Sequence, residues 1–295
     1  MDNKAASKKI NPPDLILNDD LSVYHLNLLP EDIADTIILL GDRDRVPLVS
    51  AFFDNIEVIK QKREFLTHTG TYKGKRFSAI STGIGTDNVE IVLNELDALV
   101  NVDLKTKTIK PELSRLKFIR IGTCGTIHSD VPVESHIAST FGLGLDNLMT
   151  FYKRTLSQSE KEITASLKQH LEKEQCAVPF YIAEAPGKLM DKFKDGFYHG
   201  ITITAPGFFG PQIRTIRAEP LFNNMIEAFR SFSCGKERIL NFEMETSALY
   251  GLAKILGHDA LTIDLVLANR AIGKFSVNYK DKMKELIGRV LEKIV

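Results

Sequence analysis

Cysteine is scarce in this chain of 295 residues: Cys124, Cys176 and Cys234 are all it has. An odd, sparse set without metal-type spacing argues against a disulfide framework and points to a reducing compartment. Charge of one sign is not in excess either. Lys and Arg total 38 and Asp and Glu total 38, so no basic field exists to attract nucleic acid or an anionic membrane. Any anion must be held by a local cluster of donors. Long apolar runs are missing as well; TIILL at 36–40 is typical, and far too short to span a bilayer. The opening MDNKAASKKINPPD has no apolar stretch, which predicts no secretory signal and a cytoplasmic protein. No repeat, low-complexity tract or Pro/Gly/Ser linker divides the chain. With 43% hydrophobic and 26% charged residues, what is present can bury a sizeable core.

Residues 1–20 predict a flexible arm, with Pro12 and Pro13 blocking regular structure. Residues 21–295 predict one α/β domain, a central mixed β-sheet flanked by helices. Buried or half-buried strands are expected at 36–40, 50–60, 64–72, 76–81, 117–121, 131–139, 181–184, 200–205, 239–242 and 260–268. Helical periodicity marks 89–100, 163–175, 222–232, 244–256 and 277–295, with Gly257 suited to end the fourth. Residues 101–116, polar and rich in Lys, predict a surface excursion.

Chemistry gathers where strands end. GDRDR, STGIG, RIGTCGT, FFGPQIR, FEMET and ANR each follow a strand, and open α/β sheets bind ligands beyond the carboxyl ends of their strands. One glycine after a strand is usually a plain turn. Several such endings carrying Arg, Thr, Gln and Glu point to a site. A lone Arg is usually a surface ion pair, but Arg120 sits inside the apolar run FIRIG, where an unpaired charge is costly.

These segments resemble the uridine phosphorylases. GDRDRV (41–46) is similar to G-D-P-x-R-V, KREF (62–65) to H-R-E-F, STGIG (81–85) to S-T-G-I-G and RIGTCG (120–125) to R-I-G-T-T-G. FFGPQIR (208–214) is similar to F-Y-P-G-Q-E-R, NFEMET (241–246) to N-Y-E-M-E-S and VYHL (23–26) to V-F-H-L. The matches run in family order from about residue 23 to about residue 270.

The resemblance implies a nucleoside phosphorylase-like fold and reversible phosphorolysis of uridine, with deoxyuridine or thymidine as related substrates. Phosphate would meet Gly41, Arg45, Arg120 and Thr123, with Arg63 reaching in from a neighbouring subunit. Forked guanidinium donors suit phosphate oxygens better than Lys does. Ribose would meet Glu245, Met244, Thr123 and the neighbour's His25. A carboxylate there favours an oxocarbenium-like sugar in the transition state. The base would meet Phe208, Gln212, Arg214, Glu243, Cys124 and Arg270. Gln212 can satisfy N3–H and a carbonyl together, Arg214 suits a carbonyl gaining charge, and Phe208 can stack. Arg120, Glu245, Arg214 and Gln212 are thus the expected catalytic set.

No organic cofactor or metal ligand set is implied, although the family can hold a monovalent cation between subunits through a Glu like Glu64. A dimer or hexamer with shared sites is expected. The purine relatives resemble a Ser-Asp pattern after the last strand, where the Asp protonates the ring; here Asn269-Arg270 stands there. Cys124 replaces a Thr, GPQ replaces PGQ, and 101–116 is longer than the family connection.

Overall fold

A computed structural model describes residues 9–295. The chain lays down β1 (Thr36–Leu40), α1 (Val46–Ser50), β2 (Asn55–Lys62), β3 (Phe65–Tyr72), β4 (Lys75–Ser81) and α2 (Thr86–Asn101). The short pair β5 (Val102–Asp103) and β6 (Thr108–Ile109) precedes β7 (Lys117–Thr126), β8 (His136–Gly144), α3 (Gln158–Lys173), β9 (Tyr181–Glu184) and β10 (Tyr198–Thr204). Then come α4 (Met225–Arg230), β11 (Ser233–Cys234), β12 (Glu237–Glu243), α5 (Thr246–Leu256), β13 (Asp259–Asn269), β14 (Lys274–Phe275) and α6 (Tyr279–Ile294).

A twelve-stranded mixed sheet orders these as β11-β12-β10-β8-β13-β7-β1-β4-β3-β2, with β9 added on β8 and β14 on β13. β12 also pairs with β7, antiparallel at Asn241–Thr126 and Phe242–Gly125. That pairing closes β7, β13, β8, β10 and β12 into a ring. The strands that read as continuous apolar runs are buried on both faces, as in β1, where all five residues are buried. Helices α2 and α5 cover one face through Val89, Val92, Leu96, Leu249 and Leu252. Helices α1 and α6 cover the other through Val46, Val49, Leu286, Ile287 and Val290. Helices α3 and α4 pack against β9, β10 and β12. Among the described residues no helix is long and apolar enough to cross a membrane.

Several boundaries differ from expectation for physical reasons. Residues 50–54 are not strand: Ser50 ends α1, and β2 starts at Asn55. β7 does not stop at Ile121 but continues through the glycines to Thr126, because β12 and β13 pair with that stretch. β8 starts at His136 rather than Val131. The excursion at 101–116 contains the β5–β6 hairpin. Residues 9–20, expected to be part of a flexible arm, lie against it. Ile10 N donates to Lys107 O at 2.8 Å, and Ile10, Leu15 and Leu17 cover core residues. Residues 1–8 of the expected arm lie outside the described residues.

Candidate active site

A cavity of about 860 Å³ opens where the parallel strands end. After β1 come Gly41, Asp42, Arg43 and Arg45; after β4 come Gly83 and Ile84. The last part of β7 gives Thr123, Cys124 and Gly125, and the β12–α5 junction gives Glu243, Met244 and Glu245. The segment after β10 adds Phe208, Gln212 and Arg214. β1, β4 and β7 are parallel neighbours, and β12 meets β7 antiparallel at Gly125, so the end of β12 and the loop after its parallel neighbour β10 come to the same place.

Arg120 is the hub of one end. Its Nη1 lies 3.0 Å from Asp264 Oδ1 and 3.4 Å from Glu243 Oε2, and its Nη2 donates to Glu245 Oε2. All four side chains are buried. The backbone makes room for this: a Cβ on Gly122 would lie 1.9 Å from Arg120 Nη1 and 2.3 Å from Asp264 Oδ1. Burial and the neighbouring carboxylates push the Asp264 carboxyl up to about 7 and Glu245 upward as well. The same carboxylates hold Arg120 firmly charged against its own desolvation. Glu245 Oε1 also accepts from Gly85 N at 2.7 Å. Glu243 is engaged differently, accepting from Thr204 Oγ1 at 2.7 Å, Glu245 N at 2.9 Å and Thr246 N at 3.0 Å. It therefore caps the start of α5, where a carboxylate is favoured. Arg45, by contrast, has no side-chain hydrogen bond or ion pair among the described residues. Burial and the charge of Arg120 lower its pKa.

The other end is built on the loop after β10. Gly210–Gln212 forms a 3-10 turn, and Ile213 takes a left-handed conformation (φ 54°) that turns the chain toward Arg214. Gln212 is buried, yet its side-chain amide has no partner among the described residues. The Arg214 guanidinium sits 4.3 Å over the Phe208 ring, and its Nε is likewise unpartnered. Arg270 braces this loop: Nη1 donates to Gln212 O at 2.6 Å and Nη2 to Ile213 O at 3.1 Å. Burial and the charge of Arg214 lower Arg270 to about 10. Asn269, just before it, is fully buried. Its amide donates to His128 O at 2.9 Å and Val131 O at 2.8 Å.

The family model described as "Phosphorylase superfamily" matches residues 35–295. The chain belongs to that superfamily. A uridine phosphorylase of Thermococcus kodakarensis is 30% identical over 85% of this chain and 79% of its own length. A DeoD-type purine nucleoside phosphorylase of Alkaliphilus metalliredigens is 26% identical over 90% of this chain and 95% of its own. A solved Trypanosoma brucei nucleoside phosphorylase, described as showing uridine phosphorylase activity, superposes with a TM-score of 0.85 at 30% identity, covering 95% of this chain and 99% of that one. A Phytophthora capsici uridine phosphorylase structure, 21% identical over 98% and 99% of the two chains, shares the fold with a TM-score of 0.68. The chain is therefore an enzyme of the nucleoside phosphorylase family, a pentosyltransferase that takes a nucleoside and phosphate.

Within this phosphorylase the cavity gathers most of the residues that its sequence singled out: Gly41, Arg45, Arg120, Thr123, Cys124, Phe208, Gln212, Arg214, Glu243, Met244 and Glu245. Three others do not line it. Arg270 acts on the loop backbone, as above. His25 Nδ1 lies 2.7 Å from Glu95 Oε1. Arg63 is exposed in the turn between β2 and β3, next to the cavity residue Glu64. Asp42, Arg43, Ile84 and Asn88 also line the cavity, and sequence reasoning named none of them as site residues. Ile84 lies inside the quoted STGIG motif. Asp264, too, was missed, although a lone Asp in the run ALTIDLVLA carries the same signal that marked Arg120 in FIRIG.

Proposed function

We propose that this phosphorylase is a uridine phosphorylase, catalysing reversible phosphorolysis of uridine, and of deoxyuridine as a close analogue, to uracil and the pentose 1-phosphate. The observation that carries this is a set of three polar side chains without protein partners in one cavity: Arg45 at one end, Gln212 and Arg214 at the other. A ligand with an anion at one end and a carbonyl-and-imide edge at the other would pair with all three, and it would do so beside the Arg214 Nε, a buried donor that the protein leaves unpartnered. Asn269 supports a pyrimidine over a purine. It cannot act as a ring-protonating acid, and its amide is engaged by backbone carbonyls.

In the reaction we infer, Arg45, Arg120 and Thr123 hold phosphate against C1′ of the pentose, with Arg63 supplied by a neighbouring subunit. The C1′–N1 bond breaks as a phosphate oxygen bonds to C1′. Its electron pair passes to uracil, where Gln212 and Arg214 hold the carbonyl oxygens that take the charge, and the departing anion becomes uracil by taking a proton from solvent as the phosphate ester releases its own. Glu245 and Met244 fix the sugar, and the Glu245 carboxylate favours the developing positive charge at C1′. Positioning and charge stabilisation supply most of the rate, with no organic cofactor in the scheme.

The test is a nucleoside panel assayed with and without phosphate. Uridine with phosphate should give uracil and ribose 1-phosphate, while inosine and adenosine should be poor substrates. Efficient inosine cleavage, or uridine cleavage that persists without phosphate, would overturn this assignment.

A further inference from the structure

The Arg120 hub has an imbalance that the proposed reaction leaves unexplained. Three carboxylates, on Glu243, Glu245 and Asp264, surround one guanidinium, and Arg45 is a further cation that feels Arg120 and Asp264. Glu243 is fixed by the α5 amides and Glu245 by Gly85 and Arg120. Asp264 is the member without a backbone donor. Oδ1 accepts from Arg120 Nη1, and Oδ2 lies 3.4 Å from Asn241 Nδ2. A dianion entering beside Arg45 and Arg120 meets these carboxylates at close range, where charge repulsion is only weakly screened.

We propose that Asp264 takes up a proton from solvent as the phosphate dianion binds, so that this carboxyl sets the pH dependence of anion capture. The inference rests on the phosphate-site reading above. Every element around Asp264 is consistent with it. β7 presents Arg120 and Cys124, β12 presents Asn241 and Glu243, Glu245 stands just before α5 and Tyr250 within it, the turn after β1 presents Arg45, and β8, which pairs with Asp264 at Ile137, adds His136, which burial and Arg289 hold down at about 4. Burial holds the Cys124 thiol and the Tyr250 phenol well above their ordinary ranges, and no histidine lines the cavity. Asp264, by contrast, is pushed upward, toward its neutral acid, by burial and by Glu243 and Glu245, even before any anion arrives. A bound dianion raises it further, since added negative charge favours the neutral acid. The sign follows from linkage. Anion affinity is constant below the pKa of the free enzyme, falls as pH rises above it, and levels off above the pKa of the complex.

Inorganic sulfate is the suitable probe, because it has no proton of its own to exchange in this range. Its binding is measured calorimetrically at pH 6, 7.5 and 9 in pairs of buffers with different ionisation enthalpies. At pH 7.5 the wild-type protein should take up a substantial fraction of a proton per sulfate, and close to none at pH 6. Its affinity should fall about fivefold or more from pH 6 to 9. Asp264→Asn mimics the protonated acid. It should bind sulfate as tightly as wild type at pH 6, several-fold more tightly at pH 9, and with little proton uptake. Wild-type binding without proton uptake would overturn the proposal with no variant needed, as would an unchanged pH dependence in a folded Asp264→Asn protein. No sulfate binding at any of the three pH values would overturn the anion site itself.

Discussion

Arg45 and Arg120 both face the cavity, but of the two only Arg120 is ion-paired among the described residues. That difference predicts divergent effects of removing them. Arg45→Ala takes away a guanidinium that no carboxylate pairs with and that Arg120 repels, so stability should change by no more than about 0.5 kcal/mol. If Arg45 holds phosphate, the lost charge-assisted bond, roughly 1.5–3 kcal/mol, should raise KM for phosphate about ten- to hundredfold. Arg120→Ala instead leaves Glu243, Glu245 and Asp264 buried without their cation. Breaking such a group costs about 3–5 kcal/mol, so melting temperature and phosphate kinetics should fall together. Thermal melts and initial rates on both variants decide the matter. An Arg45→Ala protein that melts as low as Arg120→Ala, with a normal KM for phosphate, would place Arg45 in the scaffold instead.

Helix α5 and the strands beneath it convert such residue effects into site geometry. Glu245 is the residue that precedes α5, and the helix start sits directly on β8. A Cβ on Gly142 would lie 2.6 Å from Ser247 Cα and 2.8 Å from Ser247 N. Both are backbone atoms, so Gly142→Ala must displace the first turn. Overpacking of this kind costs about 1–3 kcal/mol, which corresponds to a melting point lower by roughly 2–12 °C. Because the displaced turn carries Glu245, kcat for uridine should drop as well; a variant that melts and turns over normally would show that α5 is not clamped there. Much of this architecture was legible in the sequence. TIILL and LTIDLVLA read as short continuous apolar runs of strand length, and the last helix is marked by its amphipathic period. The course of β7 through GTCGT was not, since glycines read as loop until the ring closure that pairs them is known. Asp264 was legible in principle, by the rule that a charge in an apolar run needs a partner. The bracing of the base loop by Arg270 was not, because it runs to main-chain carbonyls that leave no trace in residue type.

At the scale of the whole molecule, the two residues expected to serve a neighbour's site both lie outside this chain's own cavity. His25 is turned to Glu95, and Arg63 is exposed in the β2–β3 turn. The cavity mouth carries exposed Ile84, Phe208 and Phe275, apolar surface of the kind that association covers. If a second copy supplies Arg63 and His25, each working site needs two chains, and that can be tested by complementation. Arg63→Ala and Glu245→Ala proteins should each be weak alone. In a mixed dimer with two-fold symmetry, the site on the Arg63→Ala chain has its own Glu245 and receives Arg63 from its partner, so it is intact. The other site lacks both. Random exchange makes about half of the dimers mixed, each with one intact site of two, so activity should recover to roughly a quarter of wild type. The measurement is uridine phosphorolysis before and after subunit exchange, with exchange verified by native mass spectrometry. If Arg63 served its own chain, a mixed dimer would contain no intact site, and activity would stay at the mean of the two variants despite complete exchange.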